Sequence, residues 1–191
     1  MKTQTVAKVL LAATALASGF SAFGTEWKVI PETSSVGFIG AQQGTRFNGR
    51  FETFTAGISF DATKPATGHI VGTVELATVN TRDHDRDAAL LEKDWFDTKQ
   101  FPQARFESQK IETAGDGFRA VGELTLKGQT KPATLEFTFT PGATSSGPPA
   151  SAQFAGKLRI NRFDFNVGEG WNDTSWVAQD VEVEVKLDLK Q

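Results

Sequence analysis

The chain has 191 residues, 39% of them hydrophobic, with 20 basic against 23 acidic side chains, sixteen Phe, four Trp and neither Cys nor Tyr. A formal charge of −3 leaves no electrostatic footprint for nucleic acid or an anionic membrane surface. The lack of Cys excludes a lipoprotein anchor, Cys-x-x-Cys-His haem attachment, a thiolate metal site and a cysteine nucleophile, so packing and backbone pairing must hold the fold.

Met1, Lys2 and Lys8 flank an apolar run from Val9 to Ala17, which is shorter than the roughly 20 residues a membrane-spanning helix needs. Small residues follow, so residues 1–24 read as a cleaved signal peptide and the protein is expected in the periplasm without a membrane anchor. Ala22-Phe23-Gly24 places the cut after Gly24, with Gly19 and Ala22 as alternatives. Loss of Lys2 and Lys8 would take the charge from −3 to −5, and residues 25–191 have the length of one domain.

That domain is dominated by short stretches of period two between Gly, Pro, Asn, Asp and Thr, which is an all-β pattern. The clearest stretch is Val181 to Leu189, in which odd positions are apolar and even ones charged, giving one buried and one wet face. Weaker versions lie at 35–39, 45–51, 54–60, 69–79, 105–112, 118–126, 133–140 and 154–160. Thr113 to Gly117 reads as a hairpin turn and Pro141 to Ala150 as a longer loop. So many antiparallel strands must close into a barrel or stack as a sandwich, and the periodicity does not choose between them.

One segment, Asp83 to Phe96, breaks the period and predicts a short helix starting at about His84. Asp83 is its N-cap, acidic residues occupy the first turn and Lys93 lies near the end. Leu90, Leu91, Trp95 and Phe96 would then roof one end of the strand assembly.

Glycines share parity with apolar residues at Phe47-x-Gly49-x-Phe51, Ile70-x-Gly72-x-Val74, Ala120-x-Gly122-x-Leu124 and Phe154-x-Gly156-x-Leu158. A strand-interior glycine costs roughly 0.5–1 kcal/mol relative to Ala. Either the absent side chains make room for a ligand, or they mark bends where strands turn barrel corners. Many Phe and no Tyr suit a hydrocarbon partner, although any single Phe is first of all a core residue.

The catalytic inventory is poor. His69 and His84 are the only histidines, and the cluster Asp83 to Asp87 reads as a solvated helix start more readily than as a metal site or a general base. No nucleophile elbow, phosphate loop, dinucleotide-binding glycine pattern or His-Glu-x-x-His is present, so no enzymatic activity and no cofactor are expected.

Specific stretches are familiar. Trp27 to Ile30 with Ser34 to Phe38, Phe47 to Phe54, Thr78 to Thr81, and Arg86-Asp87 with Leu90-Leu91 occur in order. Asp94 to Asp97, running on to Phe101-Pro102-Gln103-Ala104-Arg105-Phe106-Glu107-Ser108, is the most diagnostic piece, followed by Gly122 to Pro132 and Asn161 to Gly168. In these pieces the chain resembles the YceI family of periplasmic polyisoprenoid-binding proteins. It departs from the family pattern where Asn166 follows Phe165 and where Glu169-Gly170 leads straight to Trp171.

The resemblance implies an extended antiparallel eight-stranded lipocalin-like β-barrel with a short helical insertion, a size that can hold one ligand. The implied partner is an isoprenoid lipid or quinone-like molecule, bound by a monomer or weak dimer. Candidate lining residues are Phe38, Phe51, Leu76, Leu90, Leu91, Trp95, Phe96, Phe106, Phe118, Leu124, Phe137, Phe154, Leu158, Phe163 and Phe165. Asn80, Arg82 and Asp87 are candidates for a polar head group.

Overall fold

The computed structural model describes residues 24–144 and 146–191, so the signal-peptide reading of residues 1–23 lies outside the described residues. Gly24 already belongs to the folded body, since its carbonyl accepts the Ser59 hydroxyl at 2.8 Å.

Eleven strand segments form in chain order, two more than the nine alternating stretches, because Glu26–Val29 is not among those and 69–79 is broken by a 3-10 turn. They are β1 (Glu26–Val29), β2 (Ser35–Gln42), β3 (Thr45–Phe51), β4 (Phe54–Ser59), β5 (His69–Glu75), β6 (Val79–Asn80), β7 (Gln103–Ala114), β8 (Gly117–Leu126), β9 (Gln129–Pro141), β10 (Ser151–Asn161) and β11 (Asp180–Lys190). Three breaks divide what are only eight lanes. Short 3-10 turns at Pro31–Thr33 and Leu76–Thr78 separate β1 from β2 and β5 from β6, and Glu52-Thr53 separates β3 from β4.

Every lane pairs antiparallel with its sequence neighbours, and β1 closes the ring by pairing with both β4 (Trp27 opposite Ile58) and β11 (Val29 opposite Leu189). The result is a closed eight-lane up-and-down barrel, which leaves no unpaired sheet edge between the first and last lanes. Register keeps the two faces apart. Phe154 lies opposite Leu187 and Leu158 opposite Val183 on the inside, while outside Lys157 bonds Glu182 at 2.8 Å and Glu184 at 3.1 Å.

The helix α1 (His84–Leu91) starts as expected, with the Asp83 carboxylate accepting from the Arg86 N–H at 3.0 Å. It ends earlier than its sequence pattern suggests. Glu92 is already extended, so Lys93, Trp95 and Phe96 lie in the turns that fold back over the barrel, where the Phe96 N–H donates to the Leu90 carbonyl at 3.0 Å. The hairpin at Thr113 to Gly117 turns on Gly115-Asp116 with Gly115 at φ +56, and Pro141 to Ala150 forms the link between β9 and β10.

The two ends of the barrel differ. The lower end carries the 60–68 and 142–150 links and is closed by a cluster of aromatic rings. Phe60 stands edge-on to Phe118, Phe137 and Phe139 at centroid distances of 4.9, 5.3 and 5.1 Å, and Phe137 stacks on Phe154 at 4.7 Å. Trp27 completes this plug, meeting Phe139 at 5.3 Å and donating its indole N–H to the Phe60 carbonyl. The upper end carries α1 and the turns after it, together with the 162–179 link.

Candidate functional site: an apolar cavity in the barrel

Above the aromatic plug the interior is not filled. A narrow cavity runs from Phe154, Leu187 and Ile58 at its floor to Leu90, Trp95, Phe96, Val177 and Ala178 at the upper end. Its volume is about 190 Å³. Of its lining side chains only Thr55, Thr73, Trp95 and Arg162 carry polar atoms. The inward valines of β11, Val181, Val183 and Val185, are only half-buried although their charged neighbours face solvent, because the space in front of them is open.

Ten of the fifteen candidate lining residues border this channel: Phe38, Phe51, Leu76, Leu90, Trp95, Phe96, Phe106, Leu124, Phe154 and Leu158. The other five do not. Phe118 and Phe137 point inward but sit too low, inside the plug. Leu91 packs against the core without reaching the channel. Phe163 and Phe165 lie on the 3-10 turn Arg162–Phe165, where strand alternation no longer applies, and the Phe163 ring lies under the Arg162 guanidinium at 4.1 Å.

The inward glycines also divide. A Cβ on Gly72 would meet nothing within 4 Å, and Gly72 lies between Ala56 and Phe106 on the channel wall, so here the missing side chain does make room. On Gly122 the Cβ would lie 2.0 Å from the Glu107 carbonyl oxygen, beside the bulge between Ser108 and Lys110, which is the close-approach reading. Gly49 is covered by the Phe38 ring, and Gly156 by Leu135 and Phe154.

None of the three head-group candidates borders the channel. Asn80 donates to Glu52 at 2.9 Å and accepts from the Arg82 N–H at 3.0 Å, and Arg82 itself is exposed in the left-handed region at φ +60. Asp87 accepts the Thr81 N–H and hydroxyl at 2.8 and 2.6 Å, which fixes the approach to α1. These contacts hold the chain rather than face a ligand.

The residue that the sequence reading passed over is Arg162, which is 2% exposed and borders the upper part of the channel. Its guanidinium is bonded by backbone alone: Nε donates to Ala178, Nη1 to Val167 and Gly168, and Nη2 to Trp171 and Val177. All five N–H groups are thus satisfied by carbonyls of the 162–179 link, with no carboxylate involved. Burial lowers its pKa from the ordinary arginine value, and the side chain stays charged because that value lies so high. Nothing in the alternating pattern marks this arginine; Val181 to Val185, by contrast, could have been found from parity.

Neither histidine is set up for chemistry. His84 is fully exposed, and His69 meets Glu107 at 3.3 Å on the outer face. Among the described residues no group of three or more His, Asp or Glu side chains could hold a metal ion, and no helix is long and apolar enough to cross a membrane.

A closed antiparallel barrel around an apolar cavity defines a lipocalin-like β-barrel protein. A family model for the YceI-like domain matches residues 27–189, and the chain belongs to this family. It is 33% identical over 135 residues to a UPF0312 protein of Yersinia pestis, covering 71% of this chain and 69% of that one. It is also 31% identical over 124 residues to the UPF0312 protein plu2095 of Photorhabdus laumondii, a match that spans 64% of this chain and 65% of the relative. Among solved structures, BcnA of Burkholderia cenocepacia is similar at 34% identity with a TM-score of 0.78, covering 84% of this chain and 99% of that one. A polyisoprenoid-binding domain of Saccharophagus degradans shares the fold at 16% identity with a TM-score of 0.60, over 86% of this chain and 97% of that one.

Proposed function

We propose that this protein carries or stores a long-chain isoprenoid lipid, of polyprenyl or quinone type, in the periplasm, and that it acts by binding rather than by catalysis. The observation that carries this reading is the channel itself, which is lined almost wholly by carbon. Burial supplies about 0.8 kcal/mol per CH₂, so a chain of several isoprene units gains more than enough to offset its ordering without any charged contact. The polyisoprenoid-binding neighbour has the ligand class that such a channel would accept. The basic and apolar start of the sequence supports export.

Native mass spectrometry of protein purified from the periplasm, followed by organic extraction, tests the reading. A prenyl lipid or quinone released in stoichiometric amount is the expected result. A barrel that arrives without such a molecule and refuses added isoprenoids would sink the proposal and favour a barrel that acts on a protein partner.

A further inference from the structure

Among the described residues only two large hydrophobic side chains are exposed, Trp171 at 47% and Trp176 at 50%. Both stand on the 162–179 link at the upper end, where the channel ends, and none stands at the plugged lower end. Their connection to the channel is direct. The Trp171 ring lies 6.2 Å from that of Trp95, which lines the channel, and Val177 and Ala178 next to Trp176 line it as well.

The backbone beneath the two indoles is fixed. Arg162 bonds the Trp171 and Val177 carbonyls, the Gln43 N–H donates to the Trp176 carbonyl at 2.8 Å, and the Ala178 N–H donates to that of Ala41 at 3.0 Å. Neither indole N–H meets a protein acceptor among the described residues. Two half-exposed rings therefore stand on a hydrogen-bonded backbone, each with an apolar body and a free polar tip, at the upper end of a hydrocarbon channel. An indole with that pairing is suited to the boundary between acyl chains and head groups.

We infer that this rim docks on the surface of an uncharged, zwitterionic bilayer, with Trp171 and Trp176 entering the interface so that a hydrocarbon ligand passes between membrane and channel without crossing water. The inference rests on the reading of the channel as an isoprenoid site, because such a ligand has its reservoir in a lipid phase. The charge at this end selects the kind of surface. The segments 81–102 and 162–179 hold nine acidic residues against five basic ones, and the two hairpins at the same end add Arg46, Lys127 and Lys131, so the charge nearly balances and apolar insertion is left as the attraction.

The test compares the mature chain with a Trp171→Ala/Trp176→Ala double variant, whose backbone contacts to Arg162 and Gln43 are retained. Phosphatidylcholine vesicles brominated in their acyl chains report docking of the parent chain by quenching tryptophan emission, and co-flotation with the vesicles reports the binding of both chains. Farnesol, which disperses without vesicles, reports the channel alone. Expected results are quenching of the parent chain that does not weaken between 0.1 and 0.5 M NaCl, weaker binding to phosphatidylglycerol vesicles, and a loss of vesicle binding of about tenfold or more in the double variant. Uptake of polyprenol from vesicles should fall in parallel, with farnesol affinity unchanged. Should the double variant not fold, Trp171→Phe and Trp176→Gln give the same comparison singly.

A parent chain that takes up polyprenol from vesicles without any quenching overturns the inference, as does a folded double variant that binds vesicles as tightly as its parent. Quenching without farnesol binding by either chain would instead remove the carrier reading and leave the surface contact standing.

Discussion

The position that tests the channel most sharply is Gly72. A Cβ there meets open space, and its neighbours across the lanes are Ala56 and Phe106. In Gly72→Leu the new side chain projects four carbons into the channel wall, where ligand hydrocarbon would otherwise lie. At about 0.8 kcal/mol per buried CH₂ the displaced contact is worth about 3 kcal/mol, or about 100-fold in Kd. The same change stabilises the unliganded barrel, because removing a strand-interior glycine is worth roughly 0.5–1 kcal/mol, which raises Tm by about 1–4 °C for a chain of this size. Titration with a fluorescent polyprenyl analogue, alongside thermal denaturation followed by circular dichroism, reads both quantities. Gly122→Leu is the control. Its Cβ would collide with the Glu107 carbonyl oxygen at 2.0 Å, so it lowers Tm whatever it does to the ligand. A Gly72→Leu protein with a raised Tm and an unchanged Kd would refute the channel as the binding site; a lowered Tm would refute the reading of open space at Gly72.

Three further outcomes follow from the same geometry. Arg162→Met leaves five backbone carbonyls of the 162–179 link without their donor, so denaturation should show a loss of at least about 3 kcal/mol, with hydrogen exchange rising first in residues 163–178. Phe60→Ala removes the centre of the aromatic plug and should cost about 3–5 kcal/mol in the same assay; a loss under about 1 kcal/mol would show that the rings do not close the lower end. Acid should destabilise the barrel. Glu52, Glu107, Glu112 and Glu182 are held below the ordinary carboxylate range mainly by hydrogen bonds from Arg50, Arg105, Lys110 and Lys157, respectively. A depressed folded-state pKa gives stability that is fully present above the unfolded value of about 4.3 and is lost as pH falls through the folded value, so Tm should be flat from pH 8 to 6 and decline below about pH 4.5. The pairs lie at the surface, and salt should weaken that decline.

How much of this was legible in the sequence depends on whether the deciding contact is local. Strand alternation is local, and eight of the nine period-two stretches coincide with single strands, while 69–79 is broken by the 3-10 turn Leu76–Thr78, because one wet and one buried face forces the pattern at each strand residue. The capping of α1 by Asp83 was equally visible. Closure was not. It depends on β1 lying against β11, a contact between the two ends of the chain that periodicity does not encode, and the choice of barrel over sandwich came from the family resemblance. The channel shows the same division. Parity told which side chains point inward but not how high they stand along the barrel, so Phe118 and Phe137 of the plug read the same as Phe106 and Leu124 of the wall. Height matters because the lanes are staggered. Phe137 faces both Phe118 and Gly156 across its lane, and only the assembled register puts these rings beneath Phe60 rather than beside Gly72. The glycines carry the argument furthest. Four of them share one sequence pattern, yet a Cβ would meet a carbonyl at Gly122, a phenyl ring at Gly49, a crowded core at Gly156 and nothing at Gly72. An absent side chain makes room only where its cross-lane neighbours leave the space in front of it empty, as Ala56 and Phe106 do at Gly72, and that is a property of the register rather than of the glycine.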